Sequence, residues 1–70
     1  MMPLSMADIG APNLIKKVGG KSEVRQFLEN LGFVPGSAVT IVTKIDGNVI
    51  VNIKESRVAI SREMASKIMV

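Results

Sequence analysis

The stretch from Ser22 to Gly36, Ser-Glu-Val-Arg-Gln-Phe-Leu-Glu-Asn-Leu-Gly-Phe-Val-Pro-Gly, carries its own start, stop and exit turn. Val24, Phe27, Leu28 and Leu31 recur at i, i+3, i+4 and i+7, which makes one face of a short helix apolar. Ser22 stands where an N-cap hydroxyl accepts from a free N–H of the first turn. Glu23 sets negative charge beside the positive end of the helix dipole. Gly32 predicts a left-handed exit from the helix, with Phe33 folding back onto it. Val34-Pro35-Gly36-Ser37 predicts a type II turn, in which proline fixes φ at the second position and glycine supplies positive φ at the third.

Around this stretch there is room for one small domain, residues 1–70. A chain of this size buries only about 60% of its unfolded surface, so it needs an efficient core. The chain has no cysteine and no histidine. That excludes disulfides and thiolate metal sites, and it removes both the commonest metal ligand and the commonest general base. With 47% hydrophobic residues but 3% aromatic, the core must be aliphatic, or completed by a partner or a second copy. No apolar run approaches the ~18 residues that span a bilayer, so no membrane insertion is expected. The opening Met-Met-Pro-Leu-Ser-Met has neither the basic nor the apolar region of a secretion signal, and a cytoplasmic location is expected. The net charge of +3 comes from scattered lysines and arginines, which favours solubility and an acidic partner and is weak evidence for nucleic acid.

Taken in order, Pro3 to Ala7 predicts one helical turn. Asn13 to Val18 predicts a strand with Leu14 and Val18 on one face and Ile15 and Lys17 on the other, broken by Gly19-Gly20. After the Pro35-Gly36 turn, Ala38 to Ile45 alternates, with Val39, Ile41 and Ile45 on one face. Asp46-Gly47-Asn48 marks a hairpin into Val49–Ile53. A two-residue loop would pair Ile45 with Asn48, whereas a three-residue loop pairs Ile45 with Val49 and puts Val39, Ile41, Val49, Val51 and Ile53 on one face. Because a one-residue slip exchanges faces, the apolar pattern selects the three-residue loop, with Asn48 left-handed. Lys54-Glu55-Ser56 is the next turn and Arg57–Ile60 the last strand. Ser61 then starts a second helix with Glu63 early and Ala65, Ile68 and Met69 inward. The class is mainly β: a small SH3-like antiparallel barrel with a helix inserted after the first strand and a short C-terminal helix.

Little in the chain carries chemistry. Gly20-Lys21-Ser22 matches the end of a phosphate-binding loop, but the glycine needed five positions before Gly20 is Ile15; a strand-to-helix turn is the plainer reading. Asp8, Glu23, Glu29, Asp46, Glu55 and Glu63 are dispersed, so no carboxylate pair is set up, and a nucleophilic triad has no base. An enzyme is not expected, nor a cofactor. Five methionines suit core filling better than a copper site. A basic barrel that binds nucleic acid is the alternative, but tyrosine and tryptophan platforms for base stacking are missing.

Leu28-x-x-Leu31-Gly32-Phe33-Val34-Pro35-Gly36, the Val39-x-Ile41 strand, and Val58-Ala59-Ile60 leading to Glu63-x-Ala65-x-x-Ile68 together resemble the FeoA family of bacterial ferrous iron uptake. The likeness runs from Pro3-Leu4-Ser5 to the last residue. Two positions depart from the usual pattern: Glu55 stands where a turn glycine is common, and Ser61 where a basic residue is. The resemblance implies an SH3-like barrel acting by protein contact on the cytoplasmic, GTP-binding part of a membrane ferrous iron transporter, without a metal or cofactor site of its own. The exposed side of the organising helix, Lys21, Arg25 and Glu29, is the expected contact surface. Leu28, Leu31, Gly32, Pro35 and Gly36 form its structural frame. Self-association is a further expectation for so small a core.

Overall fold

A computed structural model describes all residues 1–70. A 3-10 turn at Leu4–Met6 is followed by β1 (Pro12–Leu14), β2 (Lys17–Val18), α1 (Ser22–Asn30), β3 (Ala38–Ile45), β4 (Asn48–Ile53), β5 (Ser56–Ser61), α2 (Arg62–Ala65) and β6 (Ile68–Met69). Strands β1, β3, β4 and β5 form one antiparallel sheet in that order, and β2 pairs with β6 in a second. The first strand runs on into the second, and the last sheet strand reaches β6 through α2. The two sheets therefore wrap into a small SH3-like barrel, 27 × 24 × 23 Å across.

The 3-10 turn, β3 and β4 fall where the sequence predicts them. The strand predicted over Asn13–Val18 does not form as one unit. At Ile15 the chain leaves the first sheet: Ile15 N–H donates to Ser37 O at 2.9 Å, and Gly36 N–H donates to Ile15 O at 2.8 Å. Lys16 N–H then donates to Met69 O in the second sheet. The change of sheet rotates the chain, so Ile15 and Val18 point inward while Leu14 is 61% exposed. Continuous alternation puts Leu14 and Val18 together, and the crossing overrides it.

The hairpin loop is also shorter than predicted. Ile45 pairs with Asn48 across Asp46-Gly47, whose φ values of 42° and 81° belong to a type I′ turn. Asn48 is an ordinary strand residue and Asp46 takes the left-handed position instead. The expected face nonetheless survives for most residues, because the register shifts between Ile41 and Thr43. This bulge at Val42 accounts for the residue that a longer loop would have held. Val39 lies opposite Ile53 and Ile41 opposite Val51, all four fully buried. Ile45, past the bulge, turns out to 50% exposure, whereas the sequence pattern puts it inward.

The chain ends differently from expectation as well. Ser61 caps α2, its Oγ accepting from Met64 N–H at 3.1 Å, but α2 is a single turn. Ile68 and Met69 are strand, not helix, and pair with Val18 and Lys17. Ile68 and Ala65 are buried as predicted, while Met69 stays part-exposed at the rim. Met2 and Val70 exchange two backbone hydrogen bonds of 2.9 Å, which lays the start of the chain along the other edge of β6. The fifteen buried residues form one aliphatic cluster around Phe33, with no buried polar side chain.

Candidate partner-binding surface

Helix α1 is held by its exit more firmly than by its entry. Phe33 N–H donates to Leu28 O at 3.0 Å and Gly32 N–H to Glu29 O at 2.9 Å, with Gly32 at φ +106°. These two bonds make a Schellman motif, and Phe33 is driven into the core beside fully buried Leu28. Ser37 N–H then donates to Val34 O at 3.1 Å across Pro35-Gly36, with Gly36 at φ +92°, the predicted type II turn. The same turn docks on Ile15 through the two bonds already described. Leu28, Leu31, Gly32, Pro35 and Gly36 thus anchor the helix to the point where the chain changes sheet. At the entry, Lys21 and not Ser22 occupies the cap position, and no side chain makes a capping bond. Ser22 is the first helical residue, one position too far along to cap.

This anchoring fixes what α1 presents. Val24, Leu28 and Leu31 pack on the barrel, but Phe27, predicted on the same face, is 48% exposed. At about 100° per residue, Phe27 lies at one margin of the apolar stripe and Lys21, Arg25 and Glu29 at the other. All three of these charged residues are exposed, and they follow one another along a single ridge. The structure therefore brings the predicted set together on one face, spaced by one helical turn each.

Three shallow grooves surround the barrel. One, of about 340 Å³, lies between the 3-10 turn and the β3–β4 hairpin and includes Met6, Ile45, Asp46 and Arg62. At its edge the Lys44 ammonium donates to Ser5 O at 3.1 Å and Ala7 O at 3.2 Å, tying the turn to the barrel end. A second, smaller one of about 140 Å³ lies between α1 and α2, along Val24, Met64 and Lys67. The third, of about 300 Å³, opens beside Gly19-Gly20 between Lys17 and Lys67. Sequence reading misses all three, since each joins segments remote in the chain; only the unused apolar residues Met6 and Ile45 hint at the first. No group of three or more histidine, cysteine, aspartate or glutamate side chains is placed to hold a metal ion. No helix is long and apolar enough to cross a membrane.

A mixed-charge helix ridge and shallow grooves on an SH3-like barrel define a class of small antiparallel β-barrel domains. Comparison with known proteins narrows the class. The FeoA domain matches residues 2–70, and the chain belongs to that family. It is 36% identical over 70 residues to the "Putative Fe(2+) transport protein A" of Methanocaldococcus jannaschii, covering all of this chain and 85% of that one. The solution structure of iron(II) transport protein A from Clostridium thermocellum superposes with a TM-score of 0.88 at 28% identity, covering 97% of this chain and 43% of that one. Zinc-complexed FeoA from Stenotrophomonas maltophilia, described as a prokaryotic SH3 domain protein, shares the fold with a TM-score of 0.86 at 23% identity over 99% and 88% of the two chains.

Proposed function

We propose that this protein is a non-enzymatic accessory subunit of ferrous iron uptake that binds the cytoplasmic, GTP-binding part of a membrane iron transporter. Membership of the FeoA family over nearly the whole chain carries the reading. The names of its relatives, Fe(2+) transport protein A and iron(II) transport protein A, point the same way. The side-chain inventory agrees: with no histidine or cysteine, the chain lacks the usual means of holding iron or of nucleophilic catalysis.

The contact surface in this reading is the α1 ridge of Lys21, Arg25 and Glu29. It is exposed, rigidly mounted through the Schellman motif, and carries both signs of charge, which favours oriented docking over non-specific attraction. The protein would act in the cytoplasm, where that part of the transporter lies. Ferrous iron uptake measured in cells lacking this chain tests the role. Uptake is expected to change and to be restored by the wild-type chain. Unchanged uptake in iron-limited cells would refute it.

A further inference from the structure

The groove between Lys17 and Lys67 is the one concave surface of the molecule with a single sign of charge. Its lining contains two lysines, two glycines, Ser66 and the methionines Met1 and Met69, and no carboxylate. The frame is fixed by backbone bonds. Lys17 pairs with Met69 across β2 and β6, and Gly19 N–H donates to Lys67 O at 2.8 Å. The Lys67 stem lies across Gly20, where an added Cβ would sit 3.5 Å from its Cγ and Cδ. Gly20, at φ +94°, lines the groove, and its N–H makes no backbone hydrogen bond. Two lysines thus stand on a pinned frame with no acid in the groove lining, a positive field that an anionic partner relieves.

We propose that this groove takes an acidic, extended segment of a partner protein. Its carboxylates lie between Lys17 and Lys67, and an apolar side chain rests against Met1 and Met69. Met1, 79% exposed, and Met69 at the rim offer apolar contact that favours a peptide over a small free anion. An inorganic anion gains nothing from apolar contact, whereas flexible thioethers adapt to varied side chains. A volume of about 300 Å³ stands at the lower end of ligand clefts, enough for a few side chains but not for a folded surface. The groove shares no residue with the α1 ridge, although Gly20 adjoins Lys21, and the inference goes beyond the proposed function without depending on which protein supplies the segment.

The test uses the full chain and two probes, a labelled peptide of alternating glutamate and leucine and inorganic phosphate, with a lysine-leucine peptide as control. Saturable binding of the acidic peptide is expected, weakening as salt rises, with amide shifts centred on Lys17, Gly19, Gly20 and Lys67. The double variant Lys17→Gln/Lys67→Met should weaken it at least about tenfold. Methionine at position 67 keeps an apolar stem over Gly20, and an otherwise unchanged amide spectrum would establish that the fold is intact. Unaltered affinity in that variant would overturn the proposal. So would shifts spread evenly over the other basic residues, or phosphate alone reproducing the shifts while the peptide adds none. None of these outcomes involves the transporter, so failure here leaves the accessory role standing.

Discussion

Ser61 Oγ accepts the Met64 N–H at 3.1 Å, while the Ser22 hydroxyl, one position inside its helix, makes no capping bond. Ser61→Ala should therefore cost about 1 kcal/mol of stability, the usual worth of an N-cap. Ser22→Ala should cost no more than a few tenths, and urea unfolding of the two variants separates them. Both serines look like helix caps in sequence; only the backbone at the entry, which puts Ser61 before α2 and Ser22 inside α1, tells them apart. Gly32 is the opposite case, legible without coordinates, because a left-handed exit followed by a buried phenylalanine is a local device. Its would-be Cβ meets Ile53 Cγ1 at 3.5 Å, an ordinary contact, so the cost of Gly32→Ala is conformational. About 1–2 kcal/mol is expected. In a domain of this size that lowers Tm by several degrees, readable by thermal melting.

Among the elements, α1 and the hairpin were predictable to different depths. The exit of the helix is legible because its signals, Gly32, Phe33 and Pro35-Gly36, lie within its own sequence, whereas its entry falls one residue earlier than a Ser22 cap predicts. Periodicity puts Phe27 inward, but it gives a face and not its width, and the barrel covers only the Val24–Leu28–Leu31 stripe. Leu28→Ala should cost about 2–5 kcal/mol, a large share of a small domain's stability. Phe27→Ala, at a residue 48% exposed, should cost under about 1 kcal/mol. Guanidinium unfolding of the pair checks which face of α1 is buried, and equal losses would contradict this packing. In the hairpin, the buried face was legible from Val39, Ile41, Val51 and Ile53, but the loop was not. A bulge at Val42 and a longer loop satisfy the same pattern for those residues, and only Ile45 distinguishes them.

At the scale of the whole molecule, the antiparallel barrel could be inferred from three strands and a short chain. Its closure could not. The change of sheet at Ile15 depends on hydrogen bonds to Gly36 and Ser37, and β6 is two residues long, below any periodic signal. The candidate surface divides in the same way. Lys21, Arg25 and Glu29 follow helical spacing and were readable, whereas Lys17 and Lys67 meet only because β2 pairs with β6. Alanine at Lys21, Arg25 and Glu29 together should weaken binding to the transporter's cytoplasmic domain at least about tenfold. It should leave the melting temperature within a few degrees of wild type, since exposed charges contribute little to stability. Unchanged affinity would move the contact elsewhere on the barrel.

The most direct measurement is a calorimetric titration of this chain against the isolated GTP-binding domain of the ferrous iron transporter, carried out with GTP analogue and with GDP. Saturable one-to-one binding in at least one nucleotide state is predicted. The absence of binding in both would contradict the proposed role.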